Sequence, residues 1–99
     1  MPEHPLKVIE NNDPGFFRLI EDTREQALSE GAVPRKYKLL TALALDASQG
    51  TVQGVRSLTQ AAIHAGAKKE EIMEILRVAH YICGVGSTYT AAHALKELF

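Results

Sequence analysis

Apolar residues recur at three- and four-residue intervals along most of the chain, and no stretch shows the period of two that a half-buried strand requires. Asp13-Pro14 supplies an N-cap followed by proline in a first helical turn. Phe16, Phe17, Ile20, Ala27 and Leu28 then follow at helical spacing, and Gly31 is the expected stop. Val33-Pro34 opens a second helix whose stretch Leu39-Leu40-Thr41-Ala42-Leu43-Ala44-Leu45 is apolar on nearly every side. Such a helix is buried on most sides. One small domain has trouble covering it alone, which predicts self-association. After the break at Ser48-Gln49-Gly50, a third helix runs from about Thr51 to Ala65, with Val52, Val55, Thr59 and Ala62 on one face and Gly66 as its stop. Lys68-Lys69-Glu70-Glu71 starts a fourth, its two acids suited to a positive helix N-terminus. Ile72, Ile75, Leu76, Ala79 and Ile82 form its buried stripe. Gly84 and Gly86 interrupt the chain, and Ser87 is expected to cap a last helix that buries Thr88, Ala91, Ala92, Leu95 and Leu98. Residues 1–12, with Pro2, Pro5 and Asn11-Asn12, read as an irregular N-terminal arm ahead of one helical domain at 13–99. The expected fold is all-α: a compact bundle of about five helices, with short links that favour antiparallel neighbours.

Composition narrows the function classes. A chain of 99 residues is one domain. Its net charge of −1 gives no pull toward nucleic acid or an anionic membrane, so neither is expected as a partner. No apolar run approaches the roughly 20 residues that span a bilayer, and the opening Met1-Pro2-Glu3-His4-Pro5 lacks the features of a signal peptide. A cytoplasmic location is the default expectation. The single cysteine, Cys83, excludes an internal disulfide and an internal Cys-x-x-Cys pair.

Three segments carry a family resemblance. Ala61-Ala62-Ile63-His64-Ala65-Gly66-Ala67-Lys68-Lys69-Glu70-Glu71-Ile72 has a small-residue helix end, a Gly-Ala turn, paired acids and then an apolar stripe. Tyr81-Ile82-Cys83-Gly84-Val85-Gly86 is a helix break before a last helix, and Val33-Pro34-Arg35-Lys36 leads into the central apolar helix. In this order and spacing, residues 33–99 resemble the carboxymuconolactone decarboxylase and alkyl hydroperoxidase D-like family. The resemblance implies that family's helical fold and assembly into a homo-oligomer, a trimer or a hexamer. It also implies where its peroxidases carry their relay: a Cys-x-x-Cys at the start of the third helix, a histidine four residues on and a glutamate twelve residues before. Those positions are here Thr51, Gly54, Leu58 and Leu39. None can form a thiolate or move a proton. The histidine–glutamate pair and following histidine of the decarboxylase branch fall on Gln53, Gly54 and Leu58, and are absent too. The expected function is therefore that of a non-redox, small-molecule-binding or catalytically altered relative. The alternatives are a decarboxylase-type enzyme with other residues, or a residual peroxiredoxin-like hydroperoxide reductase using Cys83.

Leu39, Thr51, Gly54 and Leu58 are then candidate pocket-lining positions. Two readings of Gly54 stand side by side: close packing, which explains many helix glycines, or room beneath Leu39 and Leu58 for a ligand. Cys83 lies near a helix C-terminus, where the dipole disfavours a thiolate, and is expected to be buried and inert. His80 and His93 flank the glycine break and could face one another as an acid–base pair. Tyr81 and Tyr89 bracket the same break, and packing is their expected role. Arg56 is a candidate carboxylate anchor. Arg35, Lys36 and Lys38 read as a solvated basic run. The spacings of His4, His64, His80 and His93 match no metal motif, so neither metal nor cofactor is expected.

Overall fold

A computed structural model describes residues 4–99 of the chain, and it contains six α-helices and no strand among those residues. They are α1 (Lys7–Asn12), α2 (Pro14–Leu28), α3 (Arg35–Ser48), α4 (Val52–His64), α5 (Lys69–Cys83) and α6 (Val85–Leu95). Residues 7–12 thus form a short helix where an irregular arm was expected; residues 1–3 lie outside the described part. Two local contacts hold this helix: Asn12 Nδ2 donates to the Val8 carbonyl at 2.7 Å, and Lys7 pairs with Glu10 at 3.3 Å. Asp13 caps α2 as its sequence implies, its Oδ1 accepting from the Phe16 N–H at 3.1 Å. The helix ends at Leu28, before Gly31, because Ser29 already takes extended backbone.

The core is built around α3. Leu39, Leu40, Leu43 and Ala47 are buried from one helix, and α2, α4, α5 and α6 all pack against it. Burying one such leucine stabilises the fold by roughly 1.5–3 kcal/mol. Neighbours from the same chain therefore cover most of α3, and Leu45, 59% exposed, is left outside. Four helices of the same chain surround α3, leaving Tyr37 and Leu45 exposed along it.

α4 turns Val55, Thr59 and Ala62 into the core, in line with its pattern. α5 buries Ile72 and Ala79, with Ile75 and Leu76 packed against the core, but Ile82 is 72% exposed. α6 differs more. It starts at Val85, with Gly84 as its N-cap at φ +89°, a conformation that favours glycine. Ser87 is the third helical residue and not the cap; its hydroxyl donates to the Gly84 carbonyl at 2.7 Å. The buried stripe is Ser87, Ala91, Ala94 and Leu95, so Thr88 and Ala92 face outward. The helix starts three residues earlier than expected, which changes the face its later side chains present.

α1 and α2 pack on each other, and α2 meets the core at its C-terminal end through Leu28. α2 has no buried residue, and Phe16 and Leu19 are exposed. The radius of gyration, 14.4 Å, exceeds the roughly 13 Å of a compact domain of this length. No helix among the described residues is long and apolar enough to cross a membrane.

Candidate functional site

Of the four relay positions, Thr51 and Gly54 lie at the start of α4 against Asp46 of α3, while Leu39 and Leu58 belong to the core and its edge. Leu39 is 1% exposed, and Leu58 is half-buried against the core. Thr51 is the exposed N-cap residue of α4, though its side chain makes no capping bond. Asp46, near the end of α3, fills the remaining space. Its backbone carbonyl accepts the Thr51 N–H at 3.0 Å. Its carboxylate lies over the first turn of α4, a place where the helix dipole favours an anion. A Cβ added at Gly54 would collide with Asp46 Oδ2 and come within 2.8 Å of Asp46 Cγ and 3.0 Å of Thr51 Cγ2. Gly54 therefore serves close packing. The alternative reading, that glycine leaves room here, is corrected: the room is taken by a carboxylate that the helical pattern did not single out.

The remaining candidates disperse. Arg56 Nε donates to the Ala94 carbonyl at 3.4 Å and its NH1 to Gln53 Oε1 at 3.2 Å, so two of its donors are engaged within the chain. Cys83 is exposed, contrary to the expectation of a buried thiol, because it is the last residue of α5 and the chain turns away at Gly84. Tyr81 and Tyr89 are 85% and 67% exposed, which removes packing as their role within this chain. His80 finds a partner, but it is Thr88 and not His93: His80 Nδ1 lies 2.7 Å from Thr88 Oγ1.

Among the concave regions lined by polar side chains, two include candidate residues named above. The larger, about 910 Å³ and open to solvent, lies between the start of α3 and the end of α4, and includes Arg35, Lys36, Tyr37, Gln60 and His64. Its cations are engaged. An Arg35 guanidinium nitrogen donates to the Leu28 carbonyl at 3.1 Å; outside the lining, Lys38 Nζ donates to the Ser29 carbonyl at 2.7 Å. Lys36 Nζ meets Glu71 Oε2 at 3.1 Å. The basic run is thus a tie between elements and not a solvated face. The smaller region, about 390 Å³, lies between α5 and the start of α6 and is lined by Met73, Leu76, Arg77, His80 and Thr88.

The Lys36–Glu71 tie has a pH signature. Glu71 is held below the ordinary glutamate value, first by the Lys68 N–H, which donates to it at 2.8 Å, and then by the Lys36 ammonium; burial opposes both. Lys36 is held above the ordinary lysine value, foremost by its bond to Glu71. A lowered carboxyl stabilises the fold above its unfolded value and loses that contribution as pH falls through the folded one. A raised ammonium contributes below its unfolded value and loses the contribution as pH rises through the folded one. The tie is complete between the two ordinary values. Glu71→Gln is expected to be less stable than wild type at neutral pH and to converge with it in acid. Denaturant curves at the two pH values check this, and an unchanged gap in acid would refute it.

Comparison with known proteins agrees with this architecture. Residues 14–97 match the model of the carboxymuconolactone decarboxylase family. An uncharacterised protein of Methanocaldococcus jannaschii is 24% identical over 98 residues, covering 99% of this chain and 92% of that protein. The apo crystal structure of a carboxymuconolactone decarboxylase family protein from Legionella pneumophila superposes with a TM-score of 0.86 at 27% identity, over 92% of this chain and 81% of that one. The chain belongs to the carboxymuconolactone decarboxylase family.

Proposed function

We propose that this chain is a non-redox member of its family that binds a small molecule and works as a homo-oligomer. One observation carries the first part. The positions that hold the thiol relay in the family's peroxidases are here a buried leucine, a half-buried leucine, a threonine and a glycine whose side-chain space is filled by Asp46. Nothing there can take electrons from a thiol or give them to a peroxide. The only thiol, Cys83, is the last residue of α5, outside those four positions. Self-association is supported by exposed apolar side chains around the glycine break: Val78, Tyr81, Ile82, Val85 and Tyr89 are each at least 56% exposed. Large apolar side chains left exposed close together in the chain favour an interaction face.

A hydroperoxide-consumption assay with a dithiol reductant tests the reading. No turnover above background is expected for wild type or for Cys83→Ala. Turnover that Cys83→Ala abolishes would establish the thiol alternative in its place. Turnover retained in both would reveal a non-thiol mechanism.

A further inference from the structure

The threonines single out one site. Thr23, Thr41 and Thr90 all do what a helical threonine commonly does: each hydroxyl donates to the carbonyl four residues back, at 2.8, 2.8 and 3.0 Å. For Thr88 that carbonyl belongs to Gly84, and it already accepts from the Ser87 hydroxyl at 2.7 Å and the Ser87 N–H at 3.2 Å. Thr88 Oγ1 turns instead to His80 Nδ1, 2.7 Å away on the other helix. In the tautomer that carries the imidazole proton on Nε2, the threonine hydroxyl donates to Nδ1 and Nε2–H is the ring's free donor.

The surroundings give this donor a use. Met73, Leu76, Arg77 and His80 recur at intervals of three, one and three along α5, so they share one face. Together with Thr88 they line the 390 Å³ pocket. Arg77 has no ion-pair or hydrogen-bond partner among the described residues, unlike the engaged cations of the larger cleft. Its planar fork matches a carboxylate. Met73 and Leu76 supply an apolar floor, and the volume lies near the lower end of the range for ligand pockets.

We propose that the pocket between α5 and the start of α6 binds a compact organic acid: the carboxylate on Arg77, the apolar body on Met73 and Leu76, and an acceptor atom of the ligand on His80 Nε2–H, with Thr88 positioning the ring. The proposal rests on the ligand-binding reading above and assigns it a place, away from the four relay positions. Every group involved comes from α5 or from the first turns of α6, so the site depends on the turn at Gly84 that lays one helix against the other.

The test uses the full chain, with benzoate as probe and benzyl alcohol as its uncharged counterpart. Histidine ring resonances are followed by NMR during titration. Saturable movement of the His80 resonance with benzoate is expected, with His64 and His93 unmoved. Arg77→Gln should weaken binding by about tenfold or more; Arg77 is exposed, so the variant keeps its fold. Thr88→Val should change the His80 ring-nitrogen shifts, which report the tautomer, while benzoate still binds. Three results would overturn the proposal: no saturable shift at His80, equal affinity for benzyl alcohol, or equal affinity in Arg77→Gln. None of them bears on hydroperoxide turnover. Conversely, turnover in a protein that binds benzoate as described would sink the non-redox reading alone.

Discussion

Leu39→Glu is expected to abolish cooperative folding at neutral pH. Leu39 is 1% exposed and sits in the cluster that joins α3 to its neighbours. Removing the leucine side chain alone costs about 2–5 kcal/mol at such a position. An unpaired carboxylate adds a desolvation cost of several kcal/mol. The sum reaches the roughly 5–15 kcal/mol that holds a typical domain together. Circular dichroism with urea titration checks this, with Leu39→Met as the volume-conserving control expected to cost less than about 1.5 kcal/mol. Acid should restore part of the helical signal to Leu39→Glu, because a neutral carboxyl is less costly to bury. A Leu39→Glu protein as stable as wild type at neutral pH would mean that this position opens to water.

Gly54→Ala carries the second large effect, and its sign is unusual. In an ordinary helix interior the change stabilises by about 1 kcal/mol. Here the new methyl group must displace the Asp46 carboxylate. Displacement forfeits both its packing and its place over the α4 N-terminus. A net loss of about 1 kcal/mol or more is expected. In an Asp46→Ala background the same substitution should stabilise, since the obstacle is gone. The two changes are thus strongly coupled, and a double-mutant cycle by chemical denaturation measures the coupling. Additive behaviour would show that Asp46 does not occupy the glycine's space.

Together these effects bear on restoring the peroxidase relay. The variant Leu39→Glu, Thr51→Cys, Gly54→Cys, Leu58→His fails for two separate reasons. It places an acid in the core, and it puts a side chain where Asp46 already stands. Hydroperoxide turnover from that variant requires at least that Asp46 be removed as well. On the proposed non-redox reading, packing of Asp46 against Gly54 adds an obstacle beyond the identities of the four residues.

Much of this was legible along the chain. Apolar spacing, Asp13 ahead of Pro14, and glycines at 66 and 84 placed the five longer helices and their main breaks within a few residues. The residue types at positions 39, 51, 54 and 58 were legible too: leucine, threonine and glycine carry neither a thiol nor a proton-relay group. Local period and cap chemistry act over a few residues, so they can be read from neighbours in sequence.

The facing of each helix was not. Ser87 and Thr88 are adjacent, and which of them enters the core follows from α6 starting at Val85; each residue of offset turns the face by about 100°. Cys83 and Ile82 look like the end of a buried stripe, yet the chain leaves the core at Gly84 and both stay exposed. Asp46 reads as one more polar residue until α4 folds back and puts Gly54 beneath it. His80 and Thr88 have no relation in sequence beyond being eight residues apart; the helix break makes them a hydrogen-bonded pair. These facts depend on how one helix crosses another. That geometry is set by side-chain packing summed over the whole core, which no local pattern records.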